Sequence, residues 1–203
     1  MFDLPKKTQI KRNIYKKLIY EKFSKELSGN KKEIFDKEIK KITLINEISE
    51  QSINVKPTDD VSAIFVVLIE LKTKDFTKVN ISLVSRLFGQ KILVILKYKE
   101  EYRLSIYETK LLLGDWKNAA DINLELQGLD LSMVWENLVM QVADIEVEEG
   151  NSLEEQISLE AEKEKLIKLI EKTEKQARKE SQAKKKFEFY KLLKEYKRAL
   201  EEM

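Results

Sequence analysis

The run "VSAIFVVLIELK", residues 61–72, restricts the fold more than any other segment of this chain. Alternate residues of a β-strand point to opposite faces of the sheet. Between Ile64 and Ile69 both alternating sets are apolar. A strand that is apolar on both sides belongs in the middle of a sheet that is covered on both faces. We therefore predict a layered domain built around this strand.

The flanking segments predict an α+β domain over residues 1–150. Apolar residues recur with helical spacing in residues 14–27 and in "FTKVNISLVSRLFGQ", whereas "KITLINEIS" alternates like a strand. The segments "KILVILKY" and "YRLSIYETKLLL", joined by "KEE", predict a β-hairpin, and "INLEL" predicts a weaker strand. Asp130 suits the N-cap of a following amphipathic helix. Together these segments predict a mixed or antiparallel sheet flanked by helices.

Residues 151–203 differ in character from the rest of the chain. Gly150 and Asn151 predict a hinge, and highly charged sequence with apolar residues three and four apart follows. This spacing predicts an antiparallel helical hairpin, a coiled coil that turns near residues 181–183. The alternative is one continuous helix of about 50 residues that forms a homodimer in trans.

The composition excludes several kinds of chemistry. The chain has no histidine and no cysteine, which excludes Ser-His-Asp and Cys-His mechanisms, Cys/His zinc sites and disulfides. It also has no phosphate-binding glycine motif. No apolar run reaches the roughly 18 residues that a membrane span needs, so we expect a cytoplasmic protein. Carboxylate, lysine, tyrosine and serine chemistry remain, with Mg²⁺ as the metal that suits carboxylates.

Three charged residues around the long apolar run resemble part of a PD-(D/E)xK nuclease core. Asp60 precedes the run, and Glu70 and Lys72 end it. In such a nuclease the acids would hold Mg²⁺ and the lysine would activate water. Asp60 lies in a loop-like segment, however, and acidic and basic residues are common at strand ends. We therefore favour the interpretation that these are charged ends of a buried strand.

The last forty residues hold a second candidate site. In "KKKFEFYKLLKEYKR", Lys184, Lys185 and Lys186 lie beside aromatic residues, a pattern found where proteins bind nucleic acid. The structural alternative places the aromatic residues in the helix–helix seam and the lysines on its solvated flank. The two alternatives are compatible, because lysines near the turn would still face solvent.

Several segments together resemble one protein family. They are "AIFVV", "YETKLL", "LQGLDL", "VWENLV" and "IEVEEGNSLEEQI". They are similar to a bacterial and archaeal family known as domain of unknown function 4391. The resemblance implies no catalytic residue. It implies a genomic context beside helicases, DNA methyltransferases and restriction-type subunits in phage-defence loci.

The sequence thus favours a non-enzymatic accessory subunit of a restriction or phage-defence type complex. We expect it to dock a helicase or DNA methyltransferase and to need no cofactor. Two alternatives stay open, an Mg²⁺-dependent nuclease that uses Asp60, Glu70 and Lys72, and a free-standing non-specific DNA-binding protein.

Overall fold

The computed structural model describes residues 2–148 and 150–203, and over these ranges the chain forms six strands and seven helices. Two compact units result, one ending at Asp144 and one covering Ile145–Met203. The strands are β1 (Gln9–Asn13), β2 (Ile39–Ile48), β3 (Ile64–Leu71), β4 (Lys91–Tyr98), β5 (Glu101–Tyr107) and β6 (Leu111–Asn118). The helices are α1 (Lys16–Lys22), α2 (Lys31–Glu38), α3 (Glu50–Ile53), α4 (Lys78–Ser85), α5 (Leu131–Ala143), α6 (Leu153–Lys179) and α7 (Ala183–Glu201). The fold is α+β, as predicted.

The strands form one mixed sheet in the order β1-β2-β3-β4-β5-β6. Neighbouring strands run antiparallel except β3 and β4, which are parallel. A parallel pair cannot be joined by a tight turn, because the chain has to return to the same end of the sheet. Helix α4 lies in the connection between β3 and β4 and provides this return.

Both faces of β3 are buried, which confirms the prediction from its apolar run. Val67 and Ile69 belong to an apolar cluster with side chains from α1, α2 and α4. Ile64 and Val66 alternate with them and are also fully buried. Helix α5 packs against β5 and β6 and buries its own apolar stripe. The sheet therefore lies between helical layers.

Helix α5 is fixed at its start and near its middle. Asp130 caps the helix as predicted, since its carboxylate accepts a hydrogen bond from the backbone N–H of Met133 at 2.9 Å. The indole of Trp135 donates to Glu108, which follows β5. Glu108 also accepts a hydrogen bond from Lys91 at 2.8 Å, so one carboxylate joins α5 to two strands.

The sixth strand differs from the prediction. It is Leu111–Asn118, whereas "INLEL" (residues 122–126) has no strand partner. Gly114, Asp115 and Lys117 interrupt the apolar pattern of β6, which is tolerated because β6 is an edge strand with partly exposed residues. In "INLEL" the backbone N–H groups of Leu124 and Glu125 donate to Phe2 and to the side chain of Gln141.

In the second unit, α6 and α7 form the hairpin predicted for residues 151–203 rather than one continuous helix. Helix α6 begins with a capping box between Ser152 and Glu155 and packs against α7. Lys197 bonds Glu174 across the two helices at 3.0 Å. The seam between the helices keeps the 3-4 spacing. Its buried or half-buried members are Leu166, Ile170, Thr173 and Ala177 on α6 and Phe189, Leu193, Tyr196 and Leu200 on α7.

Within the described residues, no helix is both long enough and apolar enough to cross a membrane.

Gly128 should be intolerant of a side chain. Its φ is +154°, and a Cβ atom would lie 2.6 Å from the backbone nitrogen of Val134. We expect Gly128→Ala to lower the free energy of unfolding by about 3 kcal/mol, measured by urea denaturation. Gly29→Ala is the control, because φ is +62° there but nothing lies within 4 Å of the new atom. It should cost about 1 kcal/mol, and equal losses for the two variants would contradict the steric explanation.

Candidate functional site

Glu70 and Lys72 lie at the edge of the sheet where β3 ends. Ile39, the first residue of β2, pairs with Leu71 at this edge. The parallel strands β3 and β4 both end here. Sheets that contain parallel strands commonly bind ligands beyond the carboxyl ends of those strands. The end of β3 is therefore the position in the first unit where the fold favours a ligand site.

Asp60 is not at this edge. It lies in the segment before β3, whereas Glu70 is six residues after Ile64, the first residue of the strand. At about 3.3 Å per residue, these six residues alone span about 20 Å. The structure thus does not bring Asp60 together with Glu70 and Lys72. Across residues 2–148 and 150–203, no group of three or more acidic, histidine or cysteine side chains is arranged to hold a metal ion.

Glu70 lies between lysines from both neighbouring strands. Its carboxylate accepts a hydrogen bond from Lys40 at 3.3 Å, and Lys97 is its partner in the register with β4. The hydrogen bond between Lys97 and Tyr102, followed by the negative charges of Glu100 and Glu70, raises the pKa of Lys97. Lys97 thus places a positive charge beside Glu70 at this strand end.

Lys72 has a different role, since its ammonium donates to the backbone carbonyl of Asp36 at 2.6 Å. Lys16 donates to the carbonyl of Ile39 at 2.6 Å. Both carbonyls lie where α2 ends and β2 begins. The last carbonyls of a helix have no partner within the helix, and they carry its negative dipole end. The two lysines satisfy these carbonyls, so Lys72 acts as a helix-capping residue.

Asp36 is an acidic residue that the structure brings to this edge and that the sequence alone did not identify. Its carboxylate accepts hydrogen bonds from Lys16 at 2.7 Å and from Tyr20 at 2.5 Å. Burial raises the pKa of Asp36, but these hydrogen bonds and the charge of Lys72 outweigh it and hold the pKa below its ordinary value. Burial, with the bond to Asp36, raises the pKa of Tyr20 far above its usual value.

Glu38 connects the same region to α4. Its carboxylate accepts hydrogen bonds from Thr77 at 2.6 Å and from Asn80 at 2.7 Å. Thr77 and Asn80 lie at the start of α4, where the helix dipole favours a negative charge. Glu38 thus holds the end of α2 against the start of α4. The charged residues at this edge form a network that joins helices to the sheet.

The hairpin carries a second set of candidate residues. Lys184, Lys185 and Lys186 lie in the first turn of α7, which contains no acidic residue. Lys184 and Lys185 are exposed, whereas Lys186 is half-buried at the seam. Phe187 follows them and is 72% exposed. Phe189 and Tyr196 lie in the seam, as the structural alternative predicts. Phe187 lies in solvent, as a nucleic-acid-binding role would require.

A groove of about 710 Å³ lies between α6 and α7 on one side of the hairpin. Its apolar part is formed by Ala177, Leu193 and Tyr190, and cationic side chains surround it. Tyr190 is 52% exposed although it lines this groove. The lining residues are Glu174, Ala177, Arg178, Tyr190, Leu193, Lys194, Lys197, Arg198 and Glu201.

The capping role of Lys72 can be measured. Lys72→Met removes the charged donor to α2, so we expect the free energy of unfolding to fall by about 1 kcal/mol. Lys40→Met is the control, because it removes only an ion pair whose lysine side chain is 64% exposed. It should cost under about 0.5 kcal/mol. Chemical denaturation of both variants decides the matter, and a neutral Lys72→Met would show that this contact does not stabilise the fold.

The separation of Asp60 from Glu70 and Lys72 also predicts the result of a nuclease assay. The unchanged protein and Glu70→Ala should show the same extent of plasmid cleavage, or none, when incubated with plasmid DNA and Mg²⁺ or Mn²⁺. Gel electrophoresis of the plasmid provides the measurement. Cleavage that Glu70→Ala abolishes would contradict a purely structural role for Glu70 and Lys72.

Comparison with known proteins identifies a family. Neither a search of curated proteins nor a search of solved structures found a match to this chain. A family model described as "Domain of unknown function (DUF4391)" matches residues 2–200, which confirms the resemblance inferred from the sequence. The match spans both the sheet unit and the hairpin, so the chain belongs to the DUF4391 family along essentially its full length.

Proposed function

We propose that this protein is an interaction subunit whose hairpin binds a helix of a partner protein. The groove between α6 and α7 is the observation that carries the proposal. Two-helix coiled coils bury one seam and leave grooves on either side of it, and a third helix can occupy such a groove. In this hairpin the groove has an apolar floor and an exposed aromatic residue at its margin.

The small side chain of Ala177 opens the groove. Ala177 and Leu193 are both buried at the seam, so together they form a shallow apolar floor. Tyr190 stands beside them with about half of its surface in water. Tyrosine is enriched among the residues that contribute most to protein interfaces, because it supplies a large contact area and a polar end. A partner helix would cover Tyr190 and gain this area.

The charges around the groove favour an acidic partner helix. Arg178, Lys194, Lys197 and Arg198 outnumber the two carboxylates, Glu174 and Glu201. One carboxylate, Glu174, is already engaged, because it accepts from Lys197 at 3.0 Å and lies 3.8 Å from Arg178. Acidic residues flanking the apolar side of a partner helix would complement the remaining positive charge.

The genomic context implied by the family resemblance suggests which partners to test. These are a helicase or a DNA methyltransferase encoded beside the protein, in a restriction or phage-defence type complex. The protein would then act as an accessory subunit that brings this partner into the complex.

Co-expression with each neighbouring helicase or methyltransferase tests the proposal. Tyr190→Glu should weaken the complex at least tenfold, which corresponds to about 1.4 kcal/mol lost at the interface. Phe187→Glu is the matched control, because it makes the same kind of change three residues away on the outer face of α7. Affinity would be measured by titration of the purified partner. No complex with any neighbour, or equal weakening by both variants, would contradict the proposal.

A further inference from the structure

The outer face of α7 carries a line of cations, and its lysines form no ion pair in the described part of the chain. The face toward α6 holds the seam residues Phe189, Leu193 and Tyr196. On the opposite face, exposed residues recur every three or four positions, which aligns them along the helix. These residues form the outer stripe, which consists of Lys184, Phe187, Lys191, Lys194 and Arg198. Lys194 and Arg198 also border the groove described above.

The outer stripe is long, and two exposed acidic residues, Glu188 and Glu195, lie beside it. From Lys184 to Arg198 it rises over fourteen residue steps, or about 21 Å at 1.5 Å per residue. Arg198 pairs with Glu202 at 2.7 Å. Over the described part of the chain, no ion pair involves Lys184, Lys191 or Lys194, since the salt bridges there join other lysines and arginines. These three lysines therefore remain available to bind an anion.

Two features of the outer stripe are locally unfavourable for helix α7. Lys184 lies in the first turn of α7 with two more lysines, and the N-cap residue Gln182 makes no side-chain capping bond. Positive charges near the positive end of a helix dipole cost about 0.3–1 kcal/mol each. An aromatic residue that is 72% exposed, Phe187, adds a further cost because its burial would be favourable. Sequences that accept such local costs commonly do so at functional positions.

We infer that the outer stripe of α7 binds the phosphodiester backbone of single-stranded nucleic acid. Its cations are spaced along a straight line, as successive phosphates require, and Phe187 lies among them. Aromatic side chains beside cationic grooves stack on unpaired bases whatever their sequence. Binding of this kind is non-specific and depends strongly on salt.

A membrane surface fits the stripe less well than nucleic acid does. A helix that lies in a membrane interface needs a wide apolar face to insert between lipids. In α7 the apolar face is already used, because it forms the seam with α6. The outer stripe offers only one apolar side chain, Phe187, to a lipid surface.

Fluorescence anisotropy of a labelled single-stranded 20-mer with the full chain tests the inference. Replacing Lys184, Lys191 and Lys194 together with alanine removes three phosphate contacts. Affinity near 0.1 M salt should fall on the order of 100-fold, and the slope of log K against log salt should become shallower by about 2. Alanine has high helix propensity, so circular dichroism should show unchanged helicity.

The matched control lies on the other helix of the hairpin. Lys172, Lys175 and Lys179 are exposed on α6 with no aromatic residue among them, and their triple alanine variant has the same net charge. It should weaken binding less than about threefold, because these lysines lie outside the stripe. Equal losses for the two triple variants would overturn the inference, since they would show an effect of net charge alone.

Phe187→Ala separates single strands from duplexes. It should weaken binding of the single strand about tenfold through lost stacking and leave a duplex of the same sequence nearly unaffected. No binding of the unchanged protein at 50 mM salt would overturn the inference. Competition is the second test. The inference would also be overturned if phosphatidylserine vesicles or polyglutamate displaced the labelled strand at a lower concentration of negative charge than unlabelled DNA does. These DNA readouts are measured without the partner, and Lys184, Phe187 and Lys191 do not line the groove, so either proposal can fail without the other.

Discussion

The parallel pairing of β3 with β4 is the constraint on which the rest of the first unit depends. Both strands are apolar along most of their length, and their alternating residues are buried on the two faces of the sheet. Such a pair is stable only when helices cover both faces and a helical connection returns the chain to the starting end. Helices α1, α2 and α4 on one face and the placement of α4 between β3 and β4 follow from this requirement.

A buried strand pair also decides where charge can lie. Charged side chains are excluded from the covered faces, so they collect at strand and helix ends. Lys16 and Lys72 then satisfy carbonyls at the end of α2, and Lys22 does the same for Arg86 and Leu87 at the end of α4. These three lysines of the first unit thus serve the fold. The lysines of the outer stripe on α7 make no such contacts, and this difference supports their role in binding.

Sequence periodicity predicted the elements whose environment is set locally. Strand β3 follows from its two apolar faces, α5 follows from its stripe and the cap Asp130, and the hairpin follows from its 3-4 spacing. The course of β6 was predicted wrongly, because its first residues, 111–113, were assigned to the preceding strand of the hairpin. A partly exposed edge strand does not have to alternate, as Gly114 and Asp115 show. The partner of Lys72 was missed for another reason. The carbonyl that Lys72 reaches is set by the pairing of β2 with β3 and by the direct passage of α2 into β2. Neither feature can be read from the residues around Lys72.

Hydrogen–deuterium exchange of the full chain, with and without single-stranded DNA at low salt, tests most directly whether the hairpin is the recognition element. We expect slower exchange of the backbone amides in residues 183–198, with the amides of β3 and α2 unchanged. Slower exchange at the end of β3 and in α2, with α7 unaffected, would contradict this role of the hairpin, because the ligand would then lie at the edge of the sheet.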